Sequence, residues 1–546
     1  MKTLIAISIL IIFSASVYAQ KPIVSLSPIV EIPTTQDLIK TKDGYLSFKL
    51  HGGQKQKIFR IYESASLTKL LFDVTLIKYD ESLKIIKEND LSSSSTRFGV
   101  FEPTIEQING KDYLVYYEVL ENDKDIMLKA VEIDPVSLSV VNHKELFKVQ
   151  LPGKLGVDKL YEIRERRKLR IETSPDKSKT LFLFENGIDN SFTYSVVDKD
   201  LNVLFTKENM VDFSGDIVIK ATCVDNSANV YTAYKTESKK EDKKGHILIG
   251  TASKKEKDIL ISDENDMFQI LLLPSKHNYI DIIGTCFGNT DYISGVFSAK
   301  LSTTDFKLTN FKRTDFEEKF IELFDQNGLA YTKKNKFGLY PSKMTPYQLE
   351  DGSIGMIGEI RKVVVTSESH QNISGSYNSS STKTVGSGSV LNALFINGKV
   401  VFSRVPKNRL YAQRIGVSSI GILPSNTSAH DLRFSSASAG GDIYALPYKN
   451  DLLVFYSDAE ENLKLGLSEM PSKSNNTRNL VLVVATISND GNVRRDMIVN
   501  LKDESFIALP VGIRYISNQS LQIPIRRVTS FGVIKDEFRW GNIEIK

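Results

Sequence analysis

A three-part phrase recurs along the chain: a short strand of mixed polarity, a polar turn, and a strongly apolar strand. The stretch IETSPDKSKTLFLFENG (171–187) is one copy. Eight copies can be aligned on turn residues, and five of the seven separations between them fall between 63 and 68 residues; the markers are Gly44, Gly110, Lys177, Asn226, Asn289, Gly352, Asn450 and Asn518. Similarity at a near-constant period indicates stacked supersecondary units rather than unrelated domains.

A second pair of strand patterns follows most of these phrases, as in SFTYSVVDKDLNVLF, where a tight turn interrupts two apolar runs. Each unit therefore contains about four antiparallel strands, and this pattern predicts an all-β protein with the β-propeller fold. We expect seven blades, because the last unit (508–546) is short and its strands can complete the N-terminal blade, which removes an exposed edge. Eight blades are the alternative.

The apolar strands are continuous rather than alternating, as at 113–117, 181–184 and 452–456. A strand that is buried on both faces has this pattern, whereas the preceding strand keeps polar residues because it borders a wet channel. Helical periodicity is clearest at 314–328, where Phe316, Phe320, Leu323 and Phe324 share a face, so one short helix is predicted there. The Ser, Thr, Gly and Asn composition of 366–389 predicts a disordered loop.

The first residues have the features of a secretory signal peptide: Lys2, an apolar stretch at 4–13, and small residues before Gln20. Ten or so apolar residues are too few to span a bilayer, so we expect cleavage after Ala19, an extracytoplasmic protein without a transmembrane segment, and one propeller domain over 20–546. Lys plus Arg (70) nearly balances Asp plus Glu (66), which argues against a nucleic-acid partner. Cys223 and Cys286 are expected to be buried free thiols, although a bridge between neighbouring repeats is conceivable.

Several longer segments carry a resemblance to known proteins: YAQ at 18–20, TSPDKSKTLF at 173–182, FEEKFIELFDQNG at 316–328, YQLEDGSIGMIGE at 347–359 and NDLLVFYSDAEENL at 450–463. Together they resemble uncharacterised secreted proteins of Bacteroidetes, and the Ser-Pro-Asp turn resembles the repeats of TolB-like propellers. The resemblance implies a propeller-like fold and a bacterial envelope location. It brings no activity with it, because its motifs are turns and strands.

Catalytic and metal-binding signatures are missing from the sequence. The six histidines are scattered singly, and there is no HExxH, Cys-His or G-x-S-x-G motif. Asp198, Asp200 and Asn202 begin like a calcium loop, but Val203 stands where glycine is needed, so a plain hairpin turn is predicted. Two basic stretches, SKKEDKKGH at 238–246 and EIRERRKLRIE at 162–172, are interpreted as solvated loops. We therefore predict no catalytic residue, no metal and no cofactor.

Charged residues on the predicted first strands are the candidates for ligand binding: Glu106, Glu172, Lys220 and Arg514. They could grip a polar ligand at the channel, or they could simply hydrate it, as polar residues do in every propeller. The sequence favours a non-enzymatic envelope protein that binds a protein or glycan partner. The alternative is a hydrolase that acts on a glycan or peptide at the channel mouth, and a third hypothesis is a subunit of an outer-membrane assembly. Oligomeric state is not indicated.

Overall fold

The computed structural model of the protein describes residues 22–26, 30–31, 38–41, 43–51, 73–81, 84–91, 104–119, 125–150, 169–185, 190–213, 215–237, 243–253, 256–275, 277–288, 292–325, 330–331, 338–340, 344–371, 377–419, 443–466, 468–469, 480–501, 506–508, 513–517, 520–528 and 534–545. The predicted signal peptide at 1–19 lies outside these residues. Within them, no helix has the length and apolar character needed to span a membrane.

The described strands form eight antiparallel sheets. The chain begins with β1 (Ile23–Leu26) and β2 (Val30–Glu31), which join the last sheet. Sheet 1 consists of β3 (Leu38–Thr41), β4 (Gly44–His51), β5 (Asp73–Tyr79) and β6 (Ile85–Asp90). Sheet 2 consists of β7 (Thr104–Ile108), β8 (Lys111–Val119), β9 (Asp125–Ile133) and β10 (Val140–Gln150). Sheet 3 consists of β11 (Leu169–Thr173), β12 (Lys179–Glu185), β13 (Ser191–Asp198) and β14 (Val203–Met210).

The next two sheets contain the middle of the chain. Sheet 4 consists of β15 (Asp216–Val224), β16 (Val230–Glu237), β17 (Gly245–Gly250) and β18 (Lys257–Leu260). Sheet 5 consists of β19 (Met267–Pro274), β20 (Tyr279–Phe287), β21 (Ile293–Ser302) and β22 (Leu308–Asp315). It is extended by β23 (Ala330–Tyr331) and β24 (Gly338–Leu339), which follow the helix α1 (Glu318–Asp325).

The C-terminal part contributes three sheets. Sheet 6 consists of β25 (Thr345–Gln348), β26 (Ile354–Gln371), β27 (Tyr377–Ile396) and β28 (Lys399–Ser419). Sheet 7 consists of β29 (Tyr444–Tyr448), β30 (Asp451–Ala459), β31 (Leu480–Ile487) and β32 (Val493–Val499), with a 3-10 helix at Glu460–Lys464. Sheet 8 consists of β33 (Phe506–Ala508), β34 (Arg514–Ser517), β35 (Ser520–Val528) and β36 (Ile534–Glu544).

Consecutive sheets pack face to face in a ring. Seven buried apolar clusters fill the seven interfaces from sheets 1 and 2 through to sheets 7 and 8. The first strands of several neighbouring sheets also contact one another, for example β11 with β15 and β15 with β19, which places them around the central channel. Gln522 in sheet 8 donates a hydrogen bond to the Tyr45 hydroxyl in sheet 1, which joins the two ends of the ring. The predicted propeller fold is therefore confirmed.

The ring has eight blades, which is the alternative to the seven that the sequence favoured. The last unit does not share its strands with blade 1, because residues 38–90 supply a complete sheet of their own. Instead, β1 and β2 pair with β36 and provide the outer strand of sheet 8. The edge is closed as expected, but the N-terminal strands complete the C-terminal blade rather than the reverse.

The second strand of a blade contacts both neighbouring blades. In β12, Phe182 and Phe184 belong to the cluster that faces sheet 2, whereas Leu181 and Leu183 belong to the cluster that faces sheet 4. Successive side chains of this strand point alternately to the two neighbouring blades, and both blades present apolar surfaces. All of these side chains must therefore be apolar, which explains the continuous apolar runs in the sequence.

One of the eight phrases has a different place from the others. IIGTCFGNTDYISGVF, at 282–297, forms the second and third strands of sheet 5, because β19 precedes it as the first strand. The phrase assignment was therefore wrong by one strand in this blade. Cys223 lies on a first strand and Cys286 on a second strand, yet both are buried free thiols in the cluster between sheets 4 and 5.

The described residues within 366–389, which are 366–371 and 377–389, differ from the predicted disordered loop, while 372–376 lie outside the described residues. Their backbone continues β26 and β27, which pair with each other, and β27 pairs with β28 on its other side. Backbone hydrogen bonds between strands do not depend on apolar side chains, so a Ser- and Thr-rich segment can extend a hairpin whose base is already fixed in a blade.

The predicted helix is present but shorter than 314–328. It begins at Glu318, because β22 continues to Asp315. Phe316, Phe320 and Phe324 pack together and meet Phe402 of sheet 6, so the helix fills the space between sheets 5 and 6.

Candidate functional site

All four predicted binding residues lie on inner strands, and three of them, Glu106, Glu172 and Lys220, lie on the consecutive sheets 2, 3 and 4. Glu172 is in β11 of sheet 3 and Lys220 is in β15 of sheet 4. Glu106 is in β7 of sheet 2, where Thr104 Oγ1 donates to its carboxylate at 2.9 Å. Arg514 begins β34 in sheet 8, and its side chain lies outside the described ones. Glu172 and Lys220 lie on first strands that contact each other, and the strand of Lys220 also contacts β19, the first strand of sheet 5.

Two β-bulges bring Lys220 and Phe268 together. Lys220 is the extra residue between Ile219 and Ala221 in the pairing of β15 with β16, and Phe268 is the extra residue between Met267 and Gln269 in the pairing of β19 with β20. A bulge redirects the side chain of the extra residue. The Lys220 ammonium consequently lies 5.5 Å from the centre of the Phe268 ring, within the range of a cation–π contact.

Two more lysines surround the adjacent ring of Phe287, which meets Phe268 edge-on at 5.6 Å between ring centres. The ammonium of Lys243 lies 4.5 Å from the centre of the Phe287 ring, and that of Lys235 lies 5.8 Å from it. Lys235 is buried and forms an ion pair with Glu237 at 2.6 Å. These residues share one end of the sheets, since Glu237 ends β16 and Phe287 ends β20.

Arg170 connects sheets 3 and 4 at the same inner edge. Its guanidinium forms an ion pair with Glu185 at 2.9 Å and donates to the carbonyl oxygen of Ile219 at 2.8 Å. The arginine thus holds the backbone next to the Lys220 bulge. We refer to the six residues Arg170, Lys220, Lys235, Lys243, Phe268 and Phe287 as the inner basic cluster.

The pKa of the Lys220 ammonium is lowered to about 8, chiefly by desolvation and then by the positive charges of Lys235 and Arg170, while Glu237 acts in the opposite direction. Its side chain is half-buried, and no carboxylate among the described residues forms an ion pair with it. Lys220, Lys235 and Arg170 thus concentrate positive charge at this position, and Lys220 has no ion-pair partner among the described residues. This arrangement favours a negatively charged ligand.

Glu172 has the opposite perturbation. Desolvation raises the pKa of its carboxyl to about 7, although Arg170 lowers it. The side chain is exposed at the inner edge, so it is accessible to a ligand as well as to water. A carboxyl group that titrates near neutral pH can exchange a proton under physiological conditions.

The sequence identified only Lys220 of the inner basic cluster. Arg170 and Lys243 belong to the two basic stretches that the sequence analysis interprets as solvated loops. The high density of charged residues in these stretches was the feature that could have identified them. Phe268 and Phe287 gave no signal, because their contacts depend on bulges and on the strand order of sheet 5.

The turn at 198–202 is occupied by its own hydrogen bonds. The Asp198 carboxylate accepts from the backbone amides of Asp200 and Asn202, both at 2.9 Å, and from the Asn202 side chain at 3.0 Å. It closes the hairpin between β13 and β14, as a turn aspartate does. In the described ranges, no three His, Cys, Asp or Glu side chains come together in a way that could hold a metal ion.

Comparison with known proteins gives similarity of fold. No protein-family model and no curated protein matches the sequence. The β-propeller domain of the Trilobed protease from Pyrococcus furiosus is similar at 10% identity and a TM-score of 0.32, over 89% of this chain and 98% of that one. An oligogalacturonate lyase solved with manganese is similar at 9% identity and a TM-score of 0.32, over 81% of this chain and 94% of that one. A protein of unknown function from Dyadobacter fermentans is similar at 8% identity and a TM-score of 0.27, over 69% and 92%.

Proposed function

We propose that the protein is a non-enzymatic binding module that holds an anionic group of a protein or glycan partner at the inner basic cluster. The observation that supports this most directly is Lys220, a half-buried ammonium that contacts an aromatic ring, feels the positive charges of Lys235 and Arg170, and forms no ion pair with a described carboxylate. A carboxylate or sulfate of a ligand would supply the missing counter-charge, and the phenylalanine rings offer a surface for its apolar part.

The location of this activity is part of the proposal. The signal-like N-terminus, with cleavage expected after Ala19, and the resemblance to secreted Bacteroidetes proteins support a bacterial envelope protein that meets its partner outside the cytoplasm. Sequencing the N-terminus of the protein recovered from a bacterial periplasm or medium tests this point. A mature chain that begins at Met1 would contradict it.

The binding proposal is tested with paired probes that differ in charge. A galacturonic acid hexamer and its neutral galactose counterpart, and an acidic decapeptide and its amide counterpart, are titrated into the protein by calorimetry. We expect the charged member of at least one pair to bind about tenfold more tightly than its neutral partner, because one charge-assisted contact is worth roughly 1.5 kcal/mol.

Lys220→Gln should reduce that preference, and Lys199→Gln is the matched control. Lys199 is exposed on the hairpin turn of sheet 3, so it changes the net charge equally without touching the inner basic cluster. Equal binding of charged and neutral probes by the unaltered protein would reject the proposal, and so would equal losses in the two variants.

The alternative is a hydrolase at the channel mouth, and the pKa of about 7 for Glu172 favours it. A glycosidase needs such a group as its proton donor, together with a second carboxylate. The test is turnover of glycan and peptide substrates by the unaltered protein, followed by alanine substitution of Glu106, Glu172 and Arg514. Turnover that disappears with Glu172→Ala and persists with Lys199→Gln would replace the binding proposal by this one.

A further inference from the structure

A cavity lies between the outer parts of sheets 3 and 4. It encloses about 700 Å³, which is within the range of sites for small ligands and short peptide segments. One wall is the end of β14 with residues 210–213, and the other is formed by β16, β17 and β18. We refer to this cavity as the outer groove.

The wall from sheet 3 is accessible and, apart from Asp212, apolar. Met210, Val211 and Phe213 line it, and 70% of the Met210 side chain is exposed. Methionine adapts its shape to an apolar partner, and one this exposed at the rim of a cavity offers a contact surface rather than core packing.

The wall from sheet 4 presents a fixed carboxylate. Oδ2 of Asp258 accepts hydrogen bonds from the Tyr234 hydroxyl at 2.9 Å and from Nδ1 of His246 at 3.1 Å, and the two rings stack at 5.0 Å. Oδ1 receives no hydrogen bond from any described residue, and the side chain is 44% exposed. The carboxylate is therefore held in one orientation with one oxygen free to accept a donor from a ligand.

The groove has a negative charge. Asp212, Glu256 and Asp258 line it, while the lining lysine, Lys244, is already engaged with Asp266 at 3.4 Å. Glu256 lies 3.7 Å from Lys207, whereas Oδ1 of Asp258 receives no hydrogen bond from a described residue, so Asp258 offers the free acceptor oxygen. The inner basic cluster lies on the opposite face of sheet 4, since Tyr234 packs toward sheet 3 and Lys235 toward sheet 5. A positively charged ligand would match the negative charge of this groove.

We propose that the outer groove binds a peptide segment in which an arginine stands beside an apolar residue. The guanidinium donates to Oδ1 of Asp258, and the neighbouring apolar side chain packs against Met210 and Phe213. Arginine fits better than lysine, because its planar guanidinium can donate to Oδ1 while its flat face lies against the partly exposed imidazole of His246, which covers the buried ring of Tyr234.

The experiment compares two probes of nearly equal shape, Ac-Leu-Arg-Leu-NH2 and the same peptide with citrulline in place of arginine. Each is titrated into the full chain by calorimetry at low salt, up to about 5 mM. We expect the arginine probe to bind at least tenfold more tightly, roughly the effect of one charge-assisted contact. Equal binding of the two probes, or no saturable binding of the arginine probe, would overturn the proposal.

Three variants locate the site. Asp258→Asn should bring the ratio of the two affinities close to one. Met210→Ser should weaken both probes by the same factor, and because Met210 is exposed this variant keeps the test decisive if Asp258→Asn does not fold. Glu208→Gln removes a charge from the exposed side of β14 without lining the groove, so it should leave the ratio unchanged. If Glu208→Gln lowers the ratio as much as Asp258→Asn does, the preference is a long-range charge effect and the assigned site is wrong.

Discussion

Lys220 lies in an environment that differs from that of an ordinary surface lysine. Desolvation, together with Lys235 and Arg170, brings the pKa of its ammonium to about 8, so its charge disappears within an accessible pH range. An anion bound there loses its attraction when Lys220 is deprotonated. We predict that, once the nearby Glu172 carboxyl has ionised above about pH 7, the affinity for an anionic ligand falls further as the pH rises through 8.

The arginine variant separates this effect from general alkaline weakening. Arginine stays charged throughout the range, so Lys220→Arg should keep its affinity between pH 7 and 9.5 while the unaltered protein loses it. Calorimetric titrations at half-unit steps of pH provide the measurement. Parallel curves for the two proteins would show that another group controls the binding.

The raised pKa of Glu172 leads us to predict that the stability of the fold depends on pH. Its carboxyl has an ordinary pKa of 4.5 and a pKa of about 7 in the folded protein, so the folded state binds the proton more tightly than the unfolded state does. This contribution to stability is fully present below pH 4.5 and is lost as the pH rises through 7. Glu172→Gln should therefore match the unaltered protein at pH 4 and exceed it at pH 8. Because the side chain is exposed, we expect a gain below about 1 kcal/mol.

Thermal melting at both pH values measures this difference, with Glu208→Gln as the control. Glu208 is exposed on β14, outside the inner basic cluster. A gain at pH 8 that is equal in the two variants would indicate a general charge effect instead of the environment of Glu172.

At the scale of the strand, the second strand of each blade should carry more stability than any other. Phe182 in β12 is fully buried between sheets 2 and 3, whereas Leu204 in β14 is 46% exposed. Phe182→Ala should lower the free energy of unfolding by about 3–5 kcal/mol, because it removes a large core side chain and leaves a cavity. Leu204→Ala should change it by less than about 0.5 kcal/mol. Urea unfolding of the two variants is the measurement, and similar losses in both would contradict the burial of β12 on both faces.

The hairpin phrases predicted most of the blades because a doubly buried strand leaves a continuous apolar run in the sequence. The same rule could not place the fifth phrase, since β20 and β21 are both apolar and the first strand, MFQILLLP, is apolar as well. The candidate site was predicted less well. Side chains of a regular strand alternate between the two faces of the sheet, and a bulge interrupts that alternation. The contact between Lys220 and Phe268 therefore could not be derived from the positions of the two residues in the sequence.

At the scale of the whole molecule, the closure of the ring depends on contacts between the two ends of the described chain. Strand β1 pairs with β36 in register from Ile23 with Glu544 to Leu26 with Gly541, which joins the two ends of the described chain. Without it, β36 would present an open edge to other molecules. The sequence indicated that closure was needed, but the short strands at 23–26 and 30–31 gave too weak a pattern to show which end supplies it.

A disulfide across this closure is the sharpest test of the ring. Ser25 and Asn542 are paired in register, so Ser25→Cys with Asn542→Cys should form a bond under mild oxidation, since paired strand residues have the separation that a disulfide requires. Locking the ring should raise stability by up to about 3 kcal/mol more than a matched hairpin disulfide, Glu132→Cys with Asn142→Cys, because the closed loop is far longer. Melting curves with and without reductant measure both gains, and Cys223 and Cys286 are buried and should not interfere. If the distant pair fails to oxidise while the hairpin pair does, β1 does not lie beside β36 in solution and the ring is open at that position.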